Sequence, residues 1–118
     1  MIEGSCHCGA VRFTLKSDPQ WLIRCNCSIC RRYGALWASV EQAEVLLVAP
    51  AGMLTSYTTG DENRAFHSCA RCGGATHWTP LEPDATRMSV NANLVEPQDI
   101  AHLTIRRFDG ADSWSYMD

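Results

Sequence analysis

The chain has 118 residues and a formal net charge of −3, enough for one domain with a modest core. Acidic and basic residues are interspersed, so no basic block points to nucleic acid and no like-charge run to a solvated tail. The opening "MIEGSCHCG" has neither the basic onset nor the apolar run of a secretory signal, and no apolar stretch nears the roughly 20 residues of a membrane helix; the expectation is a cytoplasmic protein.

In chain order, "AVRFTLKS" alternates, with Val11, Phe13 and Leu15 on one face and Arg12, Thr14 and Lys16 on the other, which predicts a half-buried strand. "WLIRC" reads as a second strand leading into "CNCSIC". "CSICRRYG" predicts about two turns of helix stopped by Gly34, with Ser28 accepting N–H bonds at its start. "ALWASV" and "EVLLVA" are strand-like, and Pro50 with Gly52 marks a turn. "MLTSYTT" is a further strand ended by Gly60 and Asp61; Asp61 and Glu62 read as turn residues. "NRAFHSC" runs extended into "CARCGG", and "ATHWTP" leaves it extended. "TRMSVNANL" and "HLTIRRF" complete the strands, with a short helical turn in "EPQDIAHL" after Pro97. Short strands and frequent turns make the class all-β, or β with small helices. No repeat or linker interrupts the pattern, so residues 1–118 read as a single domain.

Seven cysteines stand in three groups: Cys6 and Cys8; Cys25, Cys27 and Cys30; Cys69 and Cys72. An odd number leaves one thiol over in a full disulfide framework, and a reducing compartment favours metal or redox chemistry. "CHCG" and "CARCGG" both end in glycine, whose positive φ lets backbone N–H groups turn toward the sulfurs. Together Cys6, Cys8, Cys69 and Cys72 make a closed four-thiolate zinc site that pins the two halves of the domain. The middle group is denser. Cys27 and Cys30 share a helical face, and a helix start followed by Arg31 and Arg32 lowers thiol pKa. Three sulfurs from one segment can converge on a single metal and leave a position open, the pattern of a catalytic zinc. Two other readings stay open: one zinc with three free thiols, or a "CSIC" redox pair, for which the βαβ context is missing.

"GSCHCGAVRFTL", "RCNCSICRRYG" and "NRAFHSCARCGG" together resemble the glutathione-dependent formaldehyde-activating enzyme family (GFA, or CENP-V/GFA-like) over roughly residues 4–79, with all seven cysteines and Arg64 in place. The resemblance implies a β-tent fold of sheets joined by zinc. It implies two zincs per chain: a structural one on Cys6, Cys8, Cys69 and Cys72, and a catalytic one on Cys25, Cys27 and Cys30. It implies a carbon–sulfur lyase that adds glutathione to formaldehyde, giving S-hydroxymethylglutathione, with a small thiol and a small aldehyde as partners. Part of the family is linked to chromosome structure, so the alternative is a non-enzymatic zinc-stapled interaction module; the acidic balance argues against direct nucleic-acid binding.

Around this centre, Arg31 and Arg32 are expected to bind carboxylates of a glutathione-like substrate, or else to be solvated charges on a helical turn. Tyr33, Trp37 and Trp78 wall a pocket or pack in the core. His67 and His77 flank the second cysteine pair but are not needed as ligands, and read as packed or solvated.

Overall fold

The computed structural model describes residues 1–59 and 63–118; the turn expected at Gly60, Asp61 and Glu62 lies outside them. Among the described residues, ten short strands form two sheets, and two short α-helices lie along the chain between strands. The alternation at Val11, Phe13 and Leu15 is realised in β2 (Arg12–Leu15), where all three side chains are 2% exposed or less. β2 pairs antiparallel with β1 (Ile2–Ser5) on one edge and β5 (Val45–Val48) on the other. β1 is absent from the sequence reading: four residues with Gly4 in the middle carry too little pattern, and the pairing Ile2 to Leu15 supplies what propensity does not.

The larger sheet has seven strands. β3 (Leu22–Cys25), β4 (Trp37–Glu41), β9 (Arg87–Asn91), β8 (Ala75–Pro80), β7 (Arg64–Cys69) and β6 (Leu54–Thr58) follow in that spatial order, all antiparallel. β10 (Ile105–Phe108) adds to β3 in parallel, Ile105 opposite Leu22. The main core gathers Phe13 and Leu15 of the small sheet with Leu22, Val40, Met88 and Val90 of the large one. Each such side chain contributes roughly 1.5–3 kcal/mol by leaving water.

The helix expected at "CSICRRYG" is α1 (Ser28–Tyr33), closed by Gly34 at φ 62° in the left-handed region. Its start differs from the expectation. The Cys27 sulfur is the cap, accepting from the Cys30 N–H at 3.4 Å, while the Ser28 hydroxyl accepts from the Arg32 guanidinium at 2.8 Å. Cys27 itself occupies the cap position, one residue before Ser28, so its side chain is the one that reaches the first free N–H groups of the helix. α2 (Pro97–Ile100) begins on proline at its first turn, as expected. No helix among the described residues is long and apolar enough to cross a membrane.

Candidate metal centres and the adjoining cavity

Cys6 and Cys8 follow β1, while Cys69 ends β7 and Cys72 lies in the turn to β8. The four sulfurs lie within 4.8 Å of one another, so this group joins the small sheet to the large one. Zinc–sulfur bonds of about 2.3 Å in a tetrahedron place neighbouring sulfurs roughly 3.8 Å apart. Cys6–Cys8 and Cys8–Cys69 are 3.7 and 3.6 Å apart. Gly9 at φ 82° and Gly73 at φ 79° take the expected positive φ, but their own N–H groups close tight turns onto the Cys6 and Cys69 carbonyls rather than onto the sulfurs. Val11 N–H donates to the Cys6 sulfur at 3.3 Å. Backbone N–H groups of Cys8 and Gly74 hold the Cys72 thiol down at about 6. Sulfur spacing, donor type and backbone support all suit a four-thiolate metal ion.

Cys25 ends β3, Cys27 caps α1, and Cys30 lies one turn into it. Their sulfurs also lie within 4.8 Å of one another. Each sulfur accepts an N–H: Cys25 from Cys27 at 3.5 Å, Cys27 from Cys30 at 3.4 Å, and Cys30 from the Trp37 indole at 3.2 Å. A bond from the Cys30 thiol, helped by backbone N–H groups of Cys27 and Gly110, pulls Cys25 down to about 5. The same bond, with burial, pushes Cys30 up. Such a ring of donors favours thiolates, the form in which sulfur binds metal.

A cavity of about 350 Å³ adjoins the three cysteines. Trp37, Phe66 and Trp78 of the large sheet line it, together with Ile23 and Ile29. A further wall comes from the segment after β10. The Asn26 side-chain amide donates through Nδ2 to Asp109 Oδ1 at 3.0 Å and accepts at Oδ1 from the Ala111 N–H at 3.0 Å. This hook sets Gly110 against the Cys25 sulfur and brings Trp114 and Tyr116 to the cavity. Phe108 packs edge-on against both rings, at 5.1 and 5.2 Å.

The sequence-stated residues divide accordingly. Trp37 and Trp78 line the cavity; Tyr33 packs against Phe66 at 5.8 Å instead. Arg31 and Arg32 are exposed on α1, neither lines the cavity, and Arg32 is bonded to Ser28. The cation that does line it is Arg64, stacked over the Trp78 ring at 4.5 Å. His67 and His77 lie outside both sulfur groups and stack on each other at 4.4 Å. His77 is buried and bonded to Thr76, and His67 bridges Ser56 and Thr79. Gly110, Trp114 and Tyr116 went unread because "FDGADSWSY" has no strand or helix period. Its signal was the Asp-Gly turn followed by two aromatics, unusual for a solvated end.

Residues 1–108 match the family model described as "Glutathione-dependent formaldehyde-activating enzyme". A protein of Halomonas elongata named "Putative glutathione-dependent formaldehyde-activating enzyme" is 31% identical over 132 aligned positions, covering 89% of this chain and 75% of that one. A crystal structure of a Rhodobacter sphaeroides protein superposes with a TM-score of 0.70 at 31% identity, covering 88% of this chain and 99% of that one.

Proposed function

The chain belongs to the glutathione-dependent formaldehyde-activating enzyme family, and we propose that it is a carbon–sulfur lyase that joins a small thiol to a small aldehyde, and splits the adduct, beside Cys25, Cys27 and Cys30. The observation that carries this reading is the convergence of three N–H-supported sulfurs on one side of a cavity large enough for a small molecule. In the reaction the thiol sulfur bonds the aldehyde carbon. The C=O pair moves to oxygen, and the proton lost by sulfur ends there; nothing is oxidised or reduced.

The donor sets fit zinc, held structurally by Cys6, Cys8, Cys69 and Cys72 and at the reacting site by Cys25, Cys27 and Cys30. When bound at the reacting site, zinc supplies stabilisation of a thiolate near neutral pH. The chain's own residues do the rest. Trp37 fixes the Cys30 sulfur from behind. Gly110 closes over Cys25, and the hook and aromatic walls flank the reacting atoms with apolar surface. Arg31 and Arg32 would draw an anionic thiol toward α1 through their charge, within a Debye length of about 8 Å. The partners are a small-molecule thiol and aldehyde, met in the cytoplasm, with neither nucleic acid nor membrane involved.

Exchange NMR on formaldehyde mixed with glutathione or a smaller thiol separates catalysed from spontaneous addition. Metal-replete protein should accelerate exchange, and Cys27→Ser should abolish the acceleration. No acceleration over buffer with any thiol tried would reject the lyase reading in favour of an interaction module.

A further inference from the structure

The cavity is more apolar than a charged tripeptide thiol requires and larger than formaldehyde needs. At about 350 Å³ it lies near the small end of ligand pockets, which run from roughly 300 to 1,000 Å³. Its walls carry the rings of Trp37, Phe66, Trp78, Phe108, Trp114 and Tyr116. Among the described residues lining it, Arg64 is the only charged side chain besides the cysteine triad itself. A guanidinium takes one carboxylate as a planar fork, and its stacking on Trp78 fixes that plane. No described acidic side chain forms an ion pair with Arg64. Glu82 and Asp84 line a neighbouring hollow with it, without reaching ion-pair distance.

We infer that the thiol taken by this site is a compact monocarboxylate with a flat apolar body, an aryl or branched-alkyl mercapto acid, rather than a tripeptide with two carboxylates and an ammonium. The inference rests on the cysteine triad being the reacting site and adds what fills the space beside it. A ligand sulfur at the triad leaves its body against the aromatic wall and its carboxylate for Arg64. The second carboxylate and the ammonium of a tripeptide would lose hydration against a wall whose described residues, the triad and Arg64 aside, carry no charge.

Part of this wall lies outside the span matched to the family. Gly110, Trp114 and Tyr116 follow residue 108, where that match ends. They are held by contacts of this chain's own. Arg106 sits over Tyr116 at 3.8 Å and over Trp21 at 4.7 Å, while its guanidinium donates twice to the Asp118 carboxylate at 3.0 and 3.2 Å. Tyr116 also accepts from the Trp21 indole at 3.2 Å. A wall fastened this way holds Trp114 and Tyr116 in place on the aromatic side of the cavity.

The test uses the full-length, metal-replete protein and a probe without sulfur, 3-phenylpropanoate, so that binding is read apart from turnover. Tryptophan fluorescence and calorimetry should show it binding at least tenfold more tightly than 3-phenylpropanamide, propanoate or S-methylglutathione. Arg64→Gln should bring acid and amide to equal affinity, and Arg64→Lys should restore part of the difference. Trp114→Gly, which suits the backbone at φ 56°, should lower affinity for the phenyl probe at least fivefold and leave propanoate unchanged. Acid and amide within twofold on the wild-type protein, or S-methylglutathione binding more tightly than the probe, would overturn the inference. Turnover of glutathione without turnover of 2-mercapto-3-phenylpropanoate would overturn it too, and leave the lyase reading standing. The expected ratios without turnover of any thiol would uphold the ligand class and remove the lyase.

Discussion

The Trp37 indole N–H donates to the buried Cys30 sulfur at 3.2 Å, tying the strand after α1 back onto the three-cysteine group. Hydrogen bonds behind a metal ligand orient it and are typically worth about 10–100-fold in metal affinity. Trp37→Phe keeps an aromatic ring and removes the donor. It should weaken metal at the Cys25–Cys27–Cys30 group by that factor and leave the four-cysteine group unchanged. Cobalt substitution with a competing chelator, read by thiolate-to-cobalt absorption, distinguishes the two classes of site. Equal affinity in mutant and wild type would reduce Trp37 to a packing residue.

The two cysteine groups should fail in different ways. Cys69 is 1% exposed and sits where the large sheet meets the small one. Structural zinc contributes apparent binding of about 10–16 kcal/mol in small folds, comparable with a whole domain's stability of about 5–15 kcal/mol. Cys69→Ser should therefore abolish cooperative melting, followed by circular dichroism. Cys27→Ser should melt cooperatively and carry one metal per chain where wild type carries two. A mild chelator should empty the three-cysteine group first, because it has one fewer protein ligand. Simultaneous loss of both metals would contradict this independence.

What could be read in advance depended on how far each signal reaches. The alternation of Val11, Phe13 and Leu15 is local, and it predicts both β2 and its buried face. The division of seven cysteines into four and three is also legible, because glycines after Cys8 and Cys72 mark two matching turns. Which sulfur caps α1 was not: Ser28 is the usual choice by type, but Cys27 stands at the cap position and takes the bond. Contacts across the chain were hidden altogether. Nothing local says that Trp114 returns to residues 25–30, because its place depends on the parallel pairing of β10 with β3. Arg64 enters the sequence reading only as a position of the family pattern, and Arg31 and Arg32 are expected to bind the carboxylates because they adjoin the cysteines in sequence. Along the six residues of α1, however, Arg31 and Arg32 are exposed to solvent, and Cys30 is the buried residue.

His77 should impose an acid limit on stability. Burial, with the neighbouring His67, holds it down to about 4, below its ordinary 6.5. Above pH 6.5 both folded and unfolded chains leave it neutral, and its environment costs nothing. From 6.5 down to about 4 the unfolded chain binds a proton that the folded chain refuses. Stability then falls by up to about 1.4 kcal/mol per pH unit, roughly 3 kcal/mol over the window. NMR of the imidazole carbons should show His77 unshifted from pH 8 to about 5. His77→Gln should flatten the stability slope between pH 6.5 and 5. An inflection of His77 near 6.5 would contradict its burial as a neutral ring.

Gly110 should be irreplaceable for space rather than for backbone conformation. A Cβ built on it would lie 2.6 Å from the Cys25 sulfur and 3.2 Å from the Cys27 Cβ. The sulfur cannot swing away easily, since the N–H groups of Cys27 and Gly110 itself hold it. The hook must therefore move, and with it the Trp114 wall. Gly110→Ala should slow thiol–aldehyde turnover by about tenfold or more and speed alkylation of Cys25 by iodoacetamide. Melting should stay cooperative, because the main core and the four-cysteine group are elsewhere. Asn26→Ala removes the clamp on Asp109 and Ala111 and should produce a weaker form of the same change. Ala111→Gly, which keeps both clamp bonds, should not. If Gly110→Ala leaves the alkylation rate of Cys25 and the turnover at wild-type values, the hook does not seat on the triad in solution.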